Sequence, residues 1–211
     1  MTKEKYDRIY FEEGVSHEVS GYTNYTWQPE FTIPLAHRLI HRLNLRPGDR
    51  ILEFGCAKGF LVYALRLLDI DAWGCDISEY AIENAHLGAK PYIKRFSGGL
   101  PYDTLVGFDW IIAKDVLEHL RPEELDIFLE EIKFHTSKLF FVVPLGDGKK
   151  YIVPQYEKDI THVIRWPLTR WVEVVRSHGW KVVNTTTDMT GLKDSWNHFI
   201  DGNAAVTLTL G

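Results

Sequence analysis

Residues 50–60 read Arg50-Ile-Leu-Glu-Phe-Gly-Cys-Ala-Lys-Gly-Phe60, and this stretch decides the architecture of the chain. Its first residues are mainly apolar, as is typical of a buried strand, and they lead into a turn that contains Gly55 and Gly59. From Phe60 onward, apolar residues recur at helical spacing. The stretch therefore predicts a strand, a glycine turn and a helix, an arrangement in which backbone N–H groups can approach a ligand closely.

The same alternation of strands and helices continues along the chain. We predict helices over 35–43, 60–68, 78–86, 122–134 and 168–177, and strands over 50–54, 71–75, 91–96, 108–113, 138–143, 180–185 and 205–210. The strand over 138–143 is almost entirely apolar, which indicates a central strand covered on both faces. The pattern predicts an α/β fold with a parallel sheet and helices on both faces, closed by a hairpin-like edge.

Size and charge limit the function. The chain has 211 residues, a length typical of one domain, so we predict a single domain over 1–211. Lysine and arginine number 24 against 29 aspartates and glutamates, so the net charge is −5 at pH 7. An acidic protein has no summed field to attract a polyanion, and nucleic acid is therefore a disfavoured partner.

The sequence also disfavours a membrane-spanning segment, disulfide bonds and a structural zinc site. No apolar run reaches the roughly 18 residues of a membrane helix, and the polar start is unlike a signal peptide. We therefore expect a cytoplasmic protein with no membrane partner. The two cysteines, Cys56 and Cys75, have no CxxC spacing and are predicted to be free thiols.

Two common nucleotide-binding fingerprints do not fit the glycine turn. Counting from Gly55, the second and third glycine positions of a dinucleotide fingerprint hold Ala57 and Phe60. A phosphate-binding loop needs Gly-Lys followed by Ser or Thr, whereas here Lys58 precedes Gly59. A nicotinamide-dependent oxidoreductase and an ATPase are both disfavoured.

Two acidic residues describe the ligand more closely. Glu53 lies at the end of its strand, where a carboxylate would repel a pyrophosphate and suit a ligand with an ammonium group. Asp76 follows the next strand, where an acidic side chain can accept hydrogen bonds from both hydroxyls of a ribose. Together they predict a site for a nucleoside with a cationic tail.

Three phrases carry a resemblance to a known family. They are 51–60 (ILEFGCAKGF), 74–82 (GCDISEYAI) and 108–120 (FDWIIAKDVLEHL). In this order they resemble the class I S-adenosylmethionine-dependent methyltransferases, over about residues 35–185. The resemblance implies a Rossmann-like, doubly wound sheet of seven strands, mostly parallel, whose last strand runs antiparallel. It also implies S-adenosyl-L-methionine as the cofactor and S-adenosyl-L-homocysteine as the product.

The resemblance also assigns cofactor contacts. It implies that Glu53 holds the methionine ammonium, directly or through water, that Asp76 binds the ribose hydroxyls, and that Ile77 packs against adenine. The other expected contacts, with the methionine, the ribose and the reactive methyl, are Gly55, Cys56, Ala57, Gly59, Lys114, Asp115 and Val116.

Two positions depart from the family pattern. Before Leu100-Pro101 the family often has an aspartate that accepts a hydrogen bond from the adenine amino group. Here the preceding residues are 96–99, so Ser97 or a backbone carbonyl must substitute. Ala57 replaces the commoner glycine, and we expect a negative φ there unless the turn is strained.

Two histidines are candidate catalytic bases. His119 follows the fourth strand beside Glu118, and His162 lies in the long loop after the fifth strand, where family members often build the acceptor pocket. Either could take a proton from an acceptor hydroxyl at neutral pH. The alternative is that Glu118 merely orients His119 and that this pair shapes the loop. His37 and His41 share a helix face without a third ligand, so no metal site is predicted.

The first 34 residues form a predicted cap rich in aromatic residues. Tyr22, Tyr25 and Trp27 suit either ordinary packing or a lid over a sulfonium. The sequence predicts O- or N-methylation of a small-molecule acceptor, such as a sugar or a natural-product intermediate, since the motifs of DNA methylation are absent. The alternative is a catalytically silent S-adenosylmethionine-binding sensor or scaffold subunit. A protein or RNA acceptor is less favoured.

Overall fold

The computed structural model describes residues 5–97 and 107–211. Its strands are β1 (Arg50–Phe54), β2 (Asp71–Asp76), β3 (Ile93–Arg95), β4 (Trp110–Lys114), β5 (Lys138–Pro144), β6 (Trp180–Thr186) and β7 (Asn203–Leu210). Its α-helices are α1 (Arg8–Glu12), α2 (Pro29–Leu43), α3 (Phe60–Leu67), α4 (Glu79–Glu83), α5 (Pro122–Glu131) and α6 (Leu168–Ser177). Within these two ranges, no helix combines the length and the apolar character that a bilayer crossing demands.

The strands form one seven-stranded sheet in the order β3-β2-β1-β4-β5-β7-β6. β1 pairs in parallel with β2 and β4, and parallel pairing extends outward to β3 and β5. β7 runs antiparallel between β5 and β6. The predicted sheet, mostly parallel with an antiparallel last strand, is confirmed. This topology places the carboxyl ends of β1, β2 and β4 side by side at one edge, where ligands bind in open α/β sheets.

Helices cover both faces of the sheet, as the alternation predicted. On one face, Leu39 of α2 and Leu65 of α3 are fully buried in a cluster with Ile51 of β1. On the other face, α5 and α6 contribute a second cluster that includes Leu125 and Trp171. After its first residue β5 is buried throughout, as expected of a strand covered on both sides.

Some element boundaries differ from the prediction. α2 begins at Pro29, because proline is favoured at the first helical position, and the helix continues through Pro34. Burial of the α2 stripe offsets the one backbone hydrogen bond that Pro34 removes. α4 ends at Glu83 because the N–H of Asn84 closes the last turn. β3 is shorter than predicted because its first residues form a 3-10 turn, Lys90–Tyr92.

The turn after β1 is left-handed at three positions. Gly55 and Gly59 have φ angles of 77° and 74°, which glycine adopts without strain. Ala57 has φ of 46°, so the expectation of a negative angle is wrong and its strained alternative holds. A left-handed alanine costs about 1–2 kcal/mol. The compensating contact is the Ala57 N–H, which donates to Oδ2 of Asp76 over 2.8 Å.

An N-terminal cap, residues 5–28, lies against the same edge of the sheet. Tyr6, Tyr10 and Phe11 are buried and pack with Ala81 of α4. The link to the glycine turn is Lys58, whose buried Nζ donates to Oε1 of Glu12 over 2.5 Å and to the carbonyl of Tyr25 over 2.9 Å. Lys58, whose position before Gly59 distinguishes this turn from a phosphate-binding loop, therefore links the cap to the sheet.

Lys58→Met should loosen the cap while the sheet stays folded. The variant keeps most of the side-chain volume but removes both hydrogen bonds from the ammonium, so the free energy of unfolding should fall by about 1–3 kcal/mol. Amide hydrogen exchange in residues 8–25 should accelerate more than exchange in β4 and β5. Lys149→Met, at an exposed position, is the matched control. Equal exchange of the cap in the two variants would contradict this role.

Candidate active site

An open cavity of about 580 Å³ lies under the cap, at the carboxyl ends of β1, β2 and β4. We call it the inner cavity. The described residues that line it are Tyr6, Tyr10, Phe11, Tyr22, Phe54, Gly55, Ala57, Cys75, Asp76, Ile77, Phe96, Asp115, Val116 and His119. Most of these side chains are apolar or aromatic, with a few acidic and polar groups among them. This composition is typical of a site for an organic ligand with a few polar anchors.

Asp76 holds the polar wall of the inner cavity. Its carboxylate accepts the backbone N–H groups of Ala57 and Ser78, both over 2.8 Å. Burial raises the pKa of this carboxyl, while the backbone donors act in the opposite direction. A carboxylate has about four lone-pair sites, so acceptor capacity remains for two hydroxyl groups. The position therefore fits the predicted contact with a ribose.

Glu53 is a buried carboxylate near the end of β1, one residue before Phe54, and it is not among the described residues that line the inner cavity. Its Oε2 is shielded from solvent and has no hydrogen-bond partner among the described residues. Burial raises the pKa of Glu53 to about 8, and the lysine at the end of β4, Lys114, moves it the opposite way. An ammonium group near Oε2 would relieve this desolvation, because a buried carboxylate is costly until it is paired.

Of the other predicted cofactor residues, some line the inner cavity and the rest do not. Gly55, Ala57, Asp76, Ile77, Asp115 and Val116 line the inner cavity. Cys56 is buried, with the pKa of its thiol raised by burial, and Gly59 is the N-cap of α3. Ser97 is exposed, and the stretch over 98–101 that bears on the adenine contact lies outside the described residues. Lys114 lines a second cleft instead.

This second space, the outer cleft, spans about 1770 Å³, is open to solvent and adjoins the inner cavity. Tyr10, Tyr22, Asp115 and His119 line both spaces. The outer wall comes from parts of the chain that sequence reasoning did not connect, namely the loop before β7 (Gly191, Leu192, Lys193, Asp194, Ser195 and Trp196) and the loop after β5 (Gln155, Tyr156, Lys158, Asp159 and His162). A ligand in the inner cavity and one in the outer cleft would meet at Asp115 and His119.

Asp115 stands at this junction as one member of a charged group. Its carboxylate accepts hydrogen bonds from Nζ of Lys114 over 2.5 Å and from Nζ of Lys193 over 2.8 Å. The two ammonium groups hold the pKa of Asp115 well below its ordinary value despite burial. Lys193 also donates to Oδ1 of Asn203, over 2.7 Å. Sequence analysis missed Lys193 and Asn203, because no local motif accompanies them.

The structure brings the two predicted catalytic histidines together. The ring centroids of His119 and His162 lie 4.6 Å apart, and both residues line the outer cleft. Burial lowers the pKa of His119 to about 4 and also lowers the pKa of His162. Both imidazoles are therefore neutral at pH 7, the form that offers a lone pair.

Part of the cap contributes to this site. The sequence did not decide between a packing role and a lid role for the cap. The hydroxyl of Tyr10 donates to Oδ2 of Asp159 over 2.8 Å, and the ring of Tyr6 lies 5.9 Å from that of His119. Among the residues considered for a lid, Tyr22 and Tyr25 line the outer cleft. Trp27 packs on Phe60, Tyr63 and His86 instead. The sequence did not indicate that Tyr6, Tyr10 and Phe11 belong to the site.

The doubly wound sheet, the left-handed turn after β1 and the carboxylates at the ends of β1 and β2 fit the class of S-adenosylmethionine-dependent methyltransferases. A family model described as a methyltransferase domain matches residues 29–185. The chain belongs to this methyltransferase-domain family. No curated protein sequence is a significant match to it.

Solved structures share the fold at low sequence identity. The glycopeptide N-methyltransferase MtfA, complexed with sinefungin, has a TM-score of 0.63 and 11% identity, covering 89% of each chain. An S-adenosylmethionine-dependent methyltransferase from Archaeoglobus fulgidus has a TM-score of 0.61 and 16% identity, covering 86% of this chain and 96% of its own. The [4+2]-cyclase SpnF has a TM-score of 0.59 and 17% identity, covering 84% of this chain and 80% of its own.

Glu53 should make the ligand-free protein less stable as pH rises. The folded pKa of about 8 exceeds the ordinary value of 4.5, so between these values the folded state holds more protons than the unfolded state. The free energy of unfolding then falls with pH by up to roughly 1.4 kcal/mol per unit. Glu53→Gln removes this contribution, and its stability relative to the parent should rise from pH 5 to pH 8.

Urea unfolding at several pH values measures this difference. Glu173→Gln, which changes an exposed glutamate of α6, is the matched control and should show no such trend. A stability difference between Glu53→Gln and the parent that is constant from pH 5 to pH 8 would show that Glu53 is ionised in the folded protein at all these values.

Proposed function

We propose that the protein transfers a methyl group from S-adenosylmethionine to a hydroxyl group of a small, polar acceptor. The observation that carries the proposal is the junction of two cavities. The inner cavity has the acidic and apolar groups suited to the cofactor, and it meets the outer cleft at Asp115 and His119. Methyl transfer is an in-line displacement, and it needs an acceptor atom and the donor carbon to meet at such a junction.

Several residues that line the inner cavity fit the cofactor, together with Glu53, the neighbour of Phe54 in its wall. The unpartnered carboxylate oxygen of Glu53 suits an ammonium, and Asp76 retains acceptor capacity for two ribose hydroxyls. Ile77 and Phe96 provide apolar surface for a base. When bound, S-adenosylmethionine supplies a methyl group that is already activated by the sulfonium. The chain itself then has to bind, orient and exclude water.

The outer cleft suits a polar acceptor. Lys114, Lys158, Asp159 and Lys193 line it together with Tyr156 and the two histidines. We propose that His119 and His162 engage the acceptor hydroxyl, because both imidazoles are neutral and have a lone pair for a proton. In the transfer, the oxygen–carbon bond forms as the carbon–sulfur bond breaks. The sulfur keeps that electron pair, and the hydroxyl proton passes to a base.

A silent binding protein is the second candidate. The neighbour SpnF has this fold and is a [4+2]-cyclase, so the fold alone does not set the reaction. A sensor or scaffold subunit would bind S-adenosylmethionine and S-adenosylhomocysteine without turnover. Formation of S-adenosylhomocysteine during incubation with monosaccharides, phenols and, separately, amines that have no hydroxyl group separates the candidates. Turnover that depends on a hydroxyl-bearing compound supports the proposal, whereas turnover with amines alone would contradict the choice of oxygen.

Asp76→Asn should weaken S-adenosylhomocysteine binding at least tenfold in isothermal titration calorimetry. The amide removes the negative charge and one acceptor oxygen from the wall of the inner cavity. Asp126→Asn, on the exposed face of α5, keeps the same change of charge and should bind like the parent. Equal affinities of the two variants, at unchanged melting temperature, would remove Asp76 from the cofactor site.

His119→Gln should lower kcat by about 10²–10⁴ for a hydroxyl acceptor, because glutamine offers no imidazole lone pair. The loss should be smaller at high pH, where more of the acceptor is already deprotonated. S-adenosylhomocysteine affinity, measured on the same protein, shows whether the inner cavity survives. A purely structural role for His119 predicts instead a loss of kcat that does not vary with pH.

A further inference from the structure

We propose that Glu118, His119 and His162 form a binding site for one divalent transition-metal ion at the outer cleft. One carboxylate oxygen of Glu118 and one ring nitrogen of each histidine lie within 4.8 Å of one another. All three residues line the outer cleft, which gives an ion a path from solvent. The sequence predicted no metal site, because Glu118 and His119 lie far along the chain from His162.

Hydrogen bonds fix both imidazoles in the form that metals bind. Nδ1 of His162 lies 2.9 Å from the carbonyl oxygen of Tyr156. A carbonyl only accepts, so Nδ1 carries the proton and Nε2 keeps its lone pair. His119 behaves alike, since its Nδ1 lies 2.7 Å from Oγ1 of Thr161, whose own hydroxyl donates to Asp159 over 2.5 Å. Metal-binding histidines are oriented in this way by acceptors on the second nitrogen.

The carboxylate of Glu118 supplies the independent sign of a ligand. The residue is 1% exposed, and its Oε2 has no hydrogen-bond partner among the described residues. Its Oε1 lies 4.0 Å from Nε2 of His162. A nearby cation would compensate the charge that the fold has buried.

The donor set indicates which ions fit. Two imidazoles and one carboxylate suit Mn²⁺, Fe²⁺, Co²⁺ or Zn²⁺, whereas Mg²⁺ and Ca²⁺ prefer oxygen ligands. Metal–ligand bonds of about 2.0–2.2 Å require the three donor atoms to come closer than they are here. Two histidines and one carboxylate leave coordination positions on such an ion for water or another ligand.

The proposal goes beyond the proposed function and does not require a particular acceptor. Without an ion, the imidazole lone pairs are open to an acceptor proton. With an ion bound, they are ligands, and the ion takes over the task of lowering the pKa of an acceptor hydroxyl. Metal binding is measured without cofactor or acceptor, so its failure would leave the methyltransferase proposal intact.

The experiment starts from a background variant, His37→Ala with His41→Ala. These exposed histidines have Nε2 atoms 3.2 Å apart and could bind metal by themselves, so their removal leaves the proposed site to be tested. The EDTA-treated protein is titrated with MnCl₂ and, separately, with ZnCl₂ by isothermal titration calorimetry. We expect one ion per chain for at least one of the two metals, with a micromolar or lower Kd.

Glu118→Gln and His162→Gln, made in this background, should each raise the Kd of the metal at least tenfold. Glu118→Gln is isosteric and removes a buried charge, so it should fold and retain its affinity for S-adenosylhomocysteine. His17→Gln changes an exposed histidine and should leave the metal affinity unchanged. The proposal would be overturned if neither metal bound to the background protein at 1 mM. An unchanged Kd in both site variants would also overturn it.

Discussion

The carboxylate of Asp76 is the contact on which the rest of the site depends. By accepting the N–H groups of Ala57 and Ser78, it joins the turn after β1 to the start of α4. This double hydrogen bond keeps Ala57 in a left-handed conformation that would otherwise be strained. The wall of the inner cavity therefore takes its shape from a side chain that also lines that cavity. In the proposed function, the same carboxylate would serve both the structure of the turn and recognition of the ribose.

Much of the fold follows from local sequence, because each strand and helix has to bury an apolar face. The apolar runs of β1 and β5 and the glycine turn were sufficient to predict a mostly parallel sheet with helices on both faces. The errors lie where a tertiary contact overrides a local preference. Ala57 is left-handed because of Asp76, and α2 passes through Pro34 because its apolar stripe is buried. Neither contact is visible in a window of neighbouring residues.

The site, like the fold, could be predicted only where residues close together in the sequence form the pattern. The proposed cofactor half lies in three short phrases at the ends of β1, β2 and β4, so adjacent residues carry the pattern. The proposed acceptor half combines Tyr10 of the cap, Asp159 of the loop after β5 and Lys193 of the loop before β7. Such a set has no fixed spacing, since only the folded chain brings its members together. The sequence indicated His119 and His162 separately, each from the loop in which it lies. It did not predict that the two side chains are in contact.

The acidic residues around the two cavities differ in how their charge is compensated. Asp115 has two lysine partners and remains ionised although it is half-buried. Glu53 and Glu118 each have a shielded oxygen without a partner in the described parts of the chain, and burial raises the pKa of both. A fold that buries such groups loses stability, and a bound cation recovers it. An ammonium at Glu53 and a metal ion at Glu118 would each compensate one of these carboxylates. Ligand binding and folding stability would then be coupled through the same carboxylates.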